Sequence, residues 1–165
     1  MATGGGGGDV RVWEIRSREL ISHLKEHSST VTKVEVFEDD IHLLSCARDK
    51  SILCWDLKNE NRVSNHTQRM GGINYFSIHP ENQNKVLSVG QERKITYWDL
   101  QKSDAEAVIN STSKPEESDE LYSIDISKAG GNLFATGGSL GILRIWDYNE
   151  GKCVNEQQAH SAPIT

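Results

Sequence analysis

Ser45–Asp56, SCARDKSILCWD, decides how this 165-residue chain folds, because it recurs. Thr3–Glu14 reads TGGGGGDVRVWE, Ser88–Asp99 reads SVGQERKITYWD, and Thr136–Asp147 reads TGGSLGILRIWD. Each window opens on a hydroxyl residue and closes on tryptophan followed by an acid. The eighth and tenth positions are mostly apolar: Val10 and Val12, Ile52 and Cys54, Ile95 and Tyr97, Leu143 and Ile145. Between the ends lie Gly, Asp, Lys, Arg and Ser, so each window reads as strand, tight turn, strand. All four tryptophans of the chain fall in these windows.

The tryptophans stand at 13, 55, 98 and 146, in steps of 42, 43 and 48. A period near forty that ends in Trp-Asp marks a propeller blade of four antiparallel strands. The expected fold class is therefore all-β, a β-propeller segment of about four blades' worth of sheet. On these windows the chain resembles the WD40-repeat family, and the resemblance covers almost all of it.

Strand patterning divides residues 1–165 into a partial blade at 1–24, blades at 27–66, 70–111 and 120–158, and the start of another repeat at 159–165. Val31–Phe37 and Ile41–Ala47 alternate apolar and polar around the turn Glu38-Asp39-Asp40. Ala159-His160-Ser161 repeats the pattern of Glu26-His27-Ser28. Two closures are compatible with this count. Residues 162–165 could complete a four-bladed ring, or the chain could be a section of a larger propeller, which the short final repeat favours. An open arc leaves strand edges and apolar faces uncovered, so the bare chain is expected to associate.

Composition narrows the function. With 18 basic and 24 acidic side chains the net charge is −6, and no concentrated basic stripe exists to meet a phosphate backbone. Nucleic acid is not an expected partner. No apolar run has membrane-spanning length and no signal-peptide core follows Met1, so a cytoplasmic chain without a membrane partner is expected. The glycines Gly4–Gly8 precede neither Lys-Ser nor Lys-Thr, which excludes a P-loop and assigns them to the hairpin turn. Cofactors, metals and small-molecule substrates are not expected.

Three cysteines are present. If Ser45 pairs with Trp55 across the hairpin, Cys46 faces Cys54, at a cross-strand spacing awkward for a disulfide. Reduced core thiols are the expectation.

His27, Ser45 and Asp49 have the composition of a catalytic triad. The WD40 resemblance implies another role. In such blades a histidine before the first strand, a hydroxyl in the second, an aspartate in the turn and the tryptophan form a buried tetrad. The matching residues are His27, Ser45, Asp49 and Trp55. Ser88, Glu92 and Trp98 occupy the corresponding positions in the next window, and Thr136 and Trp146 in the last, as partial tetrads. A nucleophile would not recur in every blade, whereas a structural network would. Met70 replaces the histidine in the third repeat, and Gly7 and Leu140 supply no carboxylate in the first and last.

The stretches DVRVWEI, LKEHSSTV, IHPENQ, ERKITYWDL and RIWDYNEGK resemble the later blades of tandem-propeller WD-repeat proteins of axonemal microtubules. That resemblance implies a non-enzymatic scaffold in the cilium or flagellum, with tubulin and other axonemal proteins as partners. A general WD40 adaptor in signalling or ubiquitin-ligase complexes is the alternative, and a propeller enzyme a third reading. Arg48, Gln91 and Arg93 are the candidate binding face, set against a plain solvated turn. The acidic insertion Ser111–Glu120, STSKPEESDE, reads as a solvated loop, with a partner-binding loop as the sharper alternative.

Overall fold

A computed structural model describes residues 1–112, 114 and 116–165. All regular structure among them is β, and none of it is helical. The chain divides into two compact units, Met1–Ile73 and Asn74–Thr165.

The first unit holds a three-stranded sheet, β1 (Ala2–Gly4), β2 (Asp9–Trp13) and β3 (Leu20–Lys25), in that order. It also holds a four-stranded sheet of β4 (Val31–Val36), β5 (His42–Ala47), β6 (Ser51–Asp56) and β7 (Asn61–Thr67). The second unit takes up β8 (Ile73–His79), β9 (Asn82–Gly90), β10 (Lys94–Asp99) and β11 (Ala107–Asn110) as one sheet. Its other sheet is β12 (Leu121–Ile126), β13 (Leu133–Gly138), β14 (Ile142–Asp147) and β15 (Lys152–Gln158). Every pairing is antiparallel between consecutive strands. The meander order follows from short turns, which can join only antiparallel neighbours.

The hairpin register corrects one expectation. Ser45 pairs with Leu53, while Trp55 pairs with Leu43, two residues further along the strand. Cys46 therefore stands opposite Ile52, and Cys54 opposite Leu44, so the two thiols are not cross-strand partners. All three cysteines are free, with Cys46 and Cys54 buried. The shift arises in the turn, where Lys50 at φ 75° closes a loop tighter than symmetry about its centre suggested. The same diagonal recurs, with Ser88 opposite Thr96 and Thr136 opposite Arg144. Strand β9 runs nine residues, Asn82–Gly90.

In each unit the same device seats a following segment against a sheet. In the first unit, the Val31 N–H donates to the Gly5 carbonyl at 3.1 Å. In the second, the Ile164 N–H donates to the Gly138 carbonyl at 2.9 Å. A Cβ at Gly4 would stand 2.5 Å from Val31 Cγ1, and one at Gly137 2.5 Å from Ile164 Cγ2. At Gly8 (φ 84°) a Cβ would come 2.1 Å from the His27 carbonyl oxygen. At Gly141 (φ 71°) it would come 2.3 Å from that of His160. Only glycine permits both the backbone conformation and the approach. Residues 160–164 thus seat on β13 as residues 27–31 seat on β1.

A second stitch repeats as well. Thr32 Oγ1 donates to the Ile73 carbonyl at 2.8 Å, and Asn74 Nδ2 to the Leu121 carbonyl at 2.7 Å. Within the second unit, Asn74 on β8 thereby holds Leu121 at the start of β12. Within each unit the apolar faces of its two sheets meet. Val10, Leu24, Val31, Leu43, Leu53 and Trp55 form the core of the first unit. Leu87, Ile95, Leu121, Ile124, Phe134 and Trp146 do so in the second. Burying each such side chain contributes about 1.5–3 kcal/mol.

Candidate functional site

Strands β5 and β6, the turn at residues 48–50 and the segment before β4 bring four side chains together. His27 Nδ1 lies 3.0 Å from Asp49 Oδ2, and its Nε2 lies 2.8 Å from Ser45 Oγ. The Trp55 indole N–H donates to the same Ser45 oxygen at 2.8 Å. Asp49 also accepts from the Ser28 N–H at 2.8 Å, the Ser51 N–H at 3.0 Å and the Ser51 hydroxyl at 2.6 Å. This pattern sets the tautomer: Nδ1–H donates to the carboxylate and Nε2 accepts from the Ser45 hydroxyl.

Ser51 is a member the sequence reading missed. Its hydroxyl also lies 3.0 Å from His27 Nδ1. The signal was a hydroxyl two residues after Asp49, the spacing at which an aspartate holds a turn.

Burial and hydrogen bonding set the charges. Burial disfavours the imidazolium of His27 and outweighs the attraction of Asp49, holding its pKa below the ordinary value. Burial pushes Asp49 upward, but the hydrogen bonds from Ser51 and Ser28 outweigh that and hold its carboxyl below the usual range. The ground state is neutral imidazole beside carboxylate.

The distances are those of a serine-histidine-aspartate relay, yet the nucleophile is closed off. Ser45 is 0% exposed and His27 4%. The Ser45 oxygen is already occupied as an acceptor by the indole N–H, so no face of it meets solvent or a carbonyl carbon.

The other windows keep the hydroxyl–indole bond and change the rest. Trp98 donates to Ser88 at 2.8 Å, Trp146 to Thr136 at 2.9 Å, and Trp13 to Thr3 at 3.1 Å. Glu92, half-exposed in its turn, makes no hydrogen bond with Ser88 or Trp98 among the described residues. Met70 is exposed, and nearby the buried Gln68 donates its amide to the Met70 and Gly71 carbonyls.

The last blade has a carboxylate after all. Asp119, fully buried, accepts from the Ser139 hydroxyl at 2.8 Å, the Leu140 N–H at 3.1 Å and Arg144 Nη1 at 2.6 Å. Arg144 Nε reaches Glu156 at 2.8 Å. Burial lowers the guanidinium pKa, and the bonds to Asp119 and Glu156 more than restore it. Asp119 belongs to the insertion expected to be solvated; Lys114, Glu116 and Ser118 are exposed as expected, whereas its two ends are not. Ser111, Thr112 and Asp119 are buried, and the Thr112 hydroxyl donates to the Lys114 and Glu117 carbonyls. Ser113 and Pro115 lie outside the described residues. A carboxylate just before β12, together with an arginine on the Trp146 face of β14, was the available signal.

Arg48, Gln91 and Arg93 are exposed in the turns of their hairpins. Arg93, at φ 60°, donates Nη1 to the Ser118 hydroxyl at 2.9 Å. Among the described residues no three His, Cys, Asp or Glu side chains could hold a metal ion together. No helix among them is long and apolar enough to cross a membrane.

Residues 18–56 match the family described as WD domain, G-beta repeat. The chain is 30% identical over 171 residues to cilia- and flagella-associated protein 52 of Macaca fascicularis, covering 100% of this chain and 28% of that one. The protein of the same name from Chlamydomonas reinhardtii is 29% identical over 159 residues, covering 94% and 24%. Transducin beta-like protein 3 of Mus musculus is 31% identical over 166 residues, covering 95% and 20%. The chain thus spans roughly a quarter of the length of these relatives. With the matched repeat at 18–56 and the same hydroxyl–indole hairpin at Trp13, Trp98 and Trp146, this chain is similar to WD40-repeat proteins.

Proposed function

We propose that the chain is a non-enzymatic interaction scaffold of the cilium or flagellum, holding protein partners of the axoneme, with tubulin among them. The observation that supports it most is the repeated hydroxyl–indole bond. A motif repeated four times, around three buried tryptophans and the half-buried Trp13, serves four blades alike, as a framework does and a single reactive centre does not. In this reading the His27–Ser45–Asp49–Trp55 tetrad and its partial counterparts are structural, and partners meet the loops, beginning with Arg48, Gln91 and Arg93. Similarity of nearly all of this chain to about a quarter of cilia- and flagella-associated protein 52 supports the ciliary placement.

Similarity of the same size to transducin beta-like protein 3 favours a second reading, a general WD40 adaptor. A pulldown from ciliated cells with the tagged chain, scored for tubulin and axonemal proteins, separates the two. Tubulin retained after salt washing is the expected result. Recovery of ubiquitin-ligase or signalling subunits without tubulin would reverse the order. Wild-type turnover of an ester or peptide substrate abolished by Ser45→Ala would overturn the scaffold reading.

A further inference from the structure

Within the second unit a cavity of about 460 Å³ opens between the β9–β11 face and the β14–β15 turn. That size falls in the range of pockets that hold a ligand group. Three rings line it. Tyr148 lies 4.8 Å from His79 and 5.3 Å from Tyr97 between centroids. Tyr97 is only 9% exposed, and its hydroxyl, on the wall beside Gly151, has no hydrogen-bond partner. Leaving a buried phenol unpaired is costly, so such groups ordinarily serve something.

The rim determines what could enter. Lys85 is held by Glu106 at 2.7 Å and Asp99 at 3.1 Å. Lys102 reaches Glu106 at 2.6 Å, and Lys152 reaches Glu150 at 3.2 Å. Each ammonium thus has a carboxylate, and Asp147, at the base of the β14–β15 turn, adds a further negative charge. No surplus positive charge is present to attract an anion, and the whole chain stands at −6. A cation suits aromatic faces, and a guanidinium suits them better than an ammonium, being planar and more weakly hydrated.

We propose that this inter-blade pocket receives an arginine side chain of a protein partner. Its guanidinium stacks on Tyr148 and donates to the Tyr97 hydroxyl, with the Glu106 and Glu150 carboxylates at the mouth. The inference rests on the reading of the chain as an interaction module, but not on the identity of the partner.

The test titrates the whole 165-residue chain with acetyl-glycyl-arginyl-glycinamide and follows the ring-proton resonances of His79 and Tyr148. Lysine, phenylalanine and citrulline peptides of the same form serve as comparisons. A saturable shift with the arginine peptide is expected, weakened about fivefold or more with citrulline and by Tyr97→Phe. Glu150→Gln should weaken it less, and Ile109→Trp, which fills the cavity, should abolish it. No saturable shift, a stronger response to phenylalanine, or indifference to Tyr97→Phe would overturn the proposal. If the parent chain retains tubulin in the pulldown but shows no saturable shift with the arginine peptide, the pocket assignment falls and the scaffold reading stands.

Discussion

Arg144 and Asp119 form an ion pair at 2.6 Å with both side chains fully buried, and each is bound on a second side. Asp119 holds Ser139 and Leu140 in the β13–β14 turn, and Arg144 reaches Glu156 on β15. The pair therefore ties Asp119, just before β12, to β14 and the β13–β14 turn. Breaking such a pair from one side leaves a buried charge unopposed.

Arg144→Met should accordingly destabilise the chain by about 3–5 kcal/mol. Asp119→Asn combined with Arg144→Met should cost less than the two single changes added, because the stranded carboxylate is gone. Urea midpoints of the three variants check this. Strict additivity would show that the two side chains do not act as a pair.

Trp55→Phe should cost about 2–3 kcal/mol, since it removes the donor to Ser45 and some packed volume. Asp49→Asn should also destabilise, because Asp49 accepts from Ser28, Ser51 and His27 together. Lys50→Ala, in an exposed turn position, should be nearly silent, and Lys50→Gly should relieve the positive φ at that residue. Equal losses from Trp55→Phe, Asp49→Asn and Lys50→Ala would remove the basis for treating the tetrad as a unit.

Stability should fall with acid in two stages. His27 titrates below its ordinary 6.5 when folded, so the unfolded chain binds the extra proton first. Its contribution is whole above about 6.5 and declines as pH drops below that. Asp49 is depressed from 3.8, so its contribution is whole above that value and is lost at lower pH. Unfolding free energy of His27→Gln should therefore be flat across the upper stage while the parent declines. Parallel curves over that stage would exclude His27 as the titrating group.

Thiol reactivity should be ordered. Burial pushes Cys46 up to about 12 and Cys54 up to about 11, leaving almost no thiolate near neutrality. Cys153 is only partly buried. In the native chain an aromatic disulfide reagent should react with Cys153 alone, and in urea with all three. A missing pair of thiols in the unfolded, unreduced chain would contradict the free state of Cys46 and Cys54.

Much of the fold was legible because the repeat is local. Trp-Asp every forty-odd residues, with alternating apolar positions before it, dictates strand, turn and strand from short-range chemistry. His27, Ser45, Asp49 and Trp55 could be named together once the family resemblance supplied their arrangement. The register of the hairpin was not legible at that level, since pairing Ser45 with Leu53 or with Trp55 keeps the same side chains inward. A shift of two residues preserves facing, so only the turn geometry at Lys50 distinguishes them. Asp119 was hidden for a different reason. In STSKPEESDE it is one acid among several, and what buries it is Arg144, twenty-five residues away on another strand. The unpaired hydroxyl of Tyr97 is likewise visible only once β10 lies against the β14–β15 turn. Periodicity reports which face a side chain takes, whereas the partner it meets there depends on distant segments packed together, and that only the tertiary structure decided.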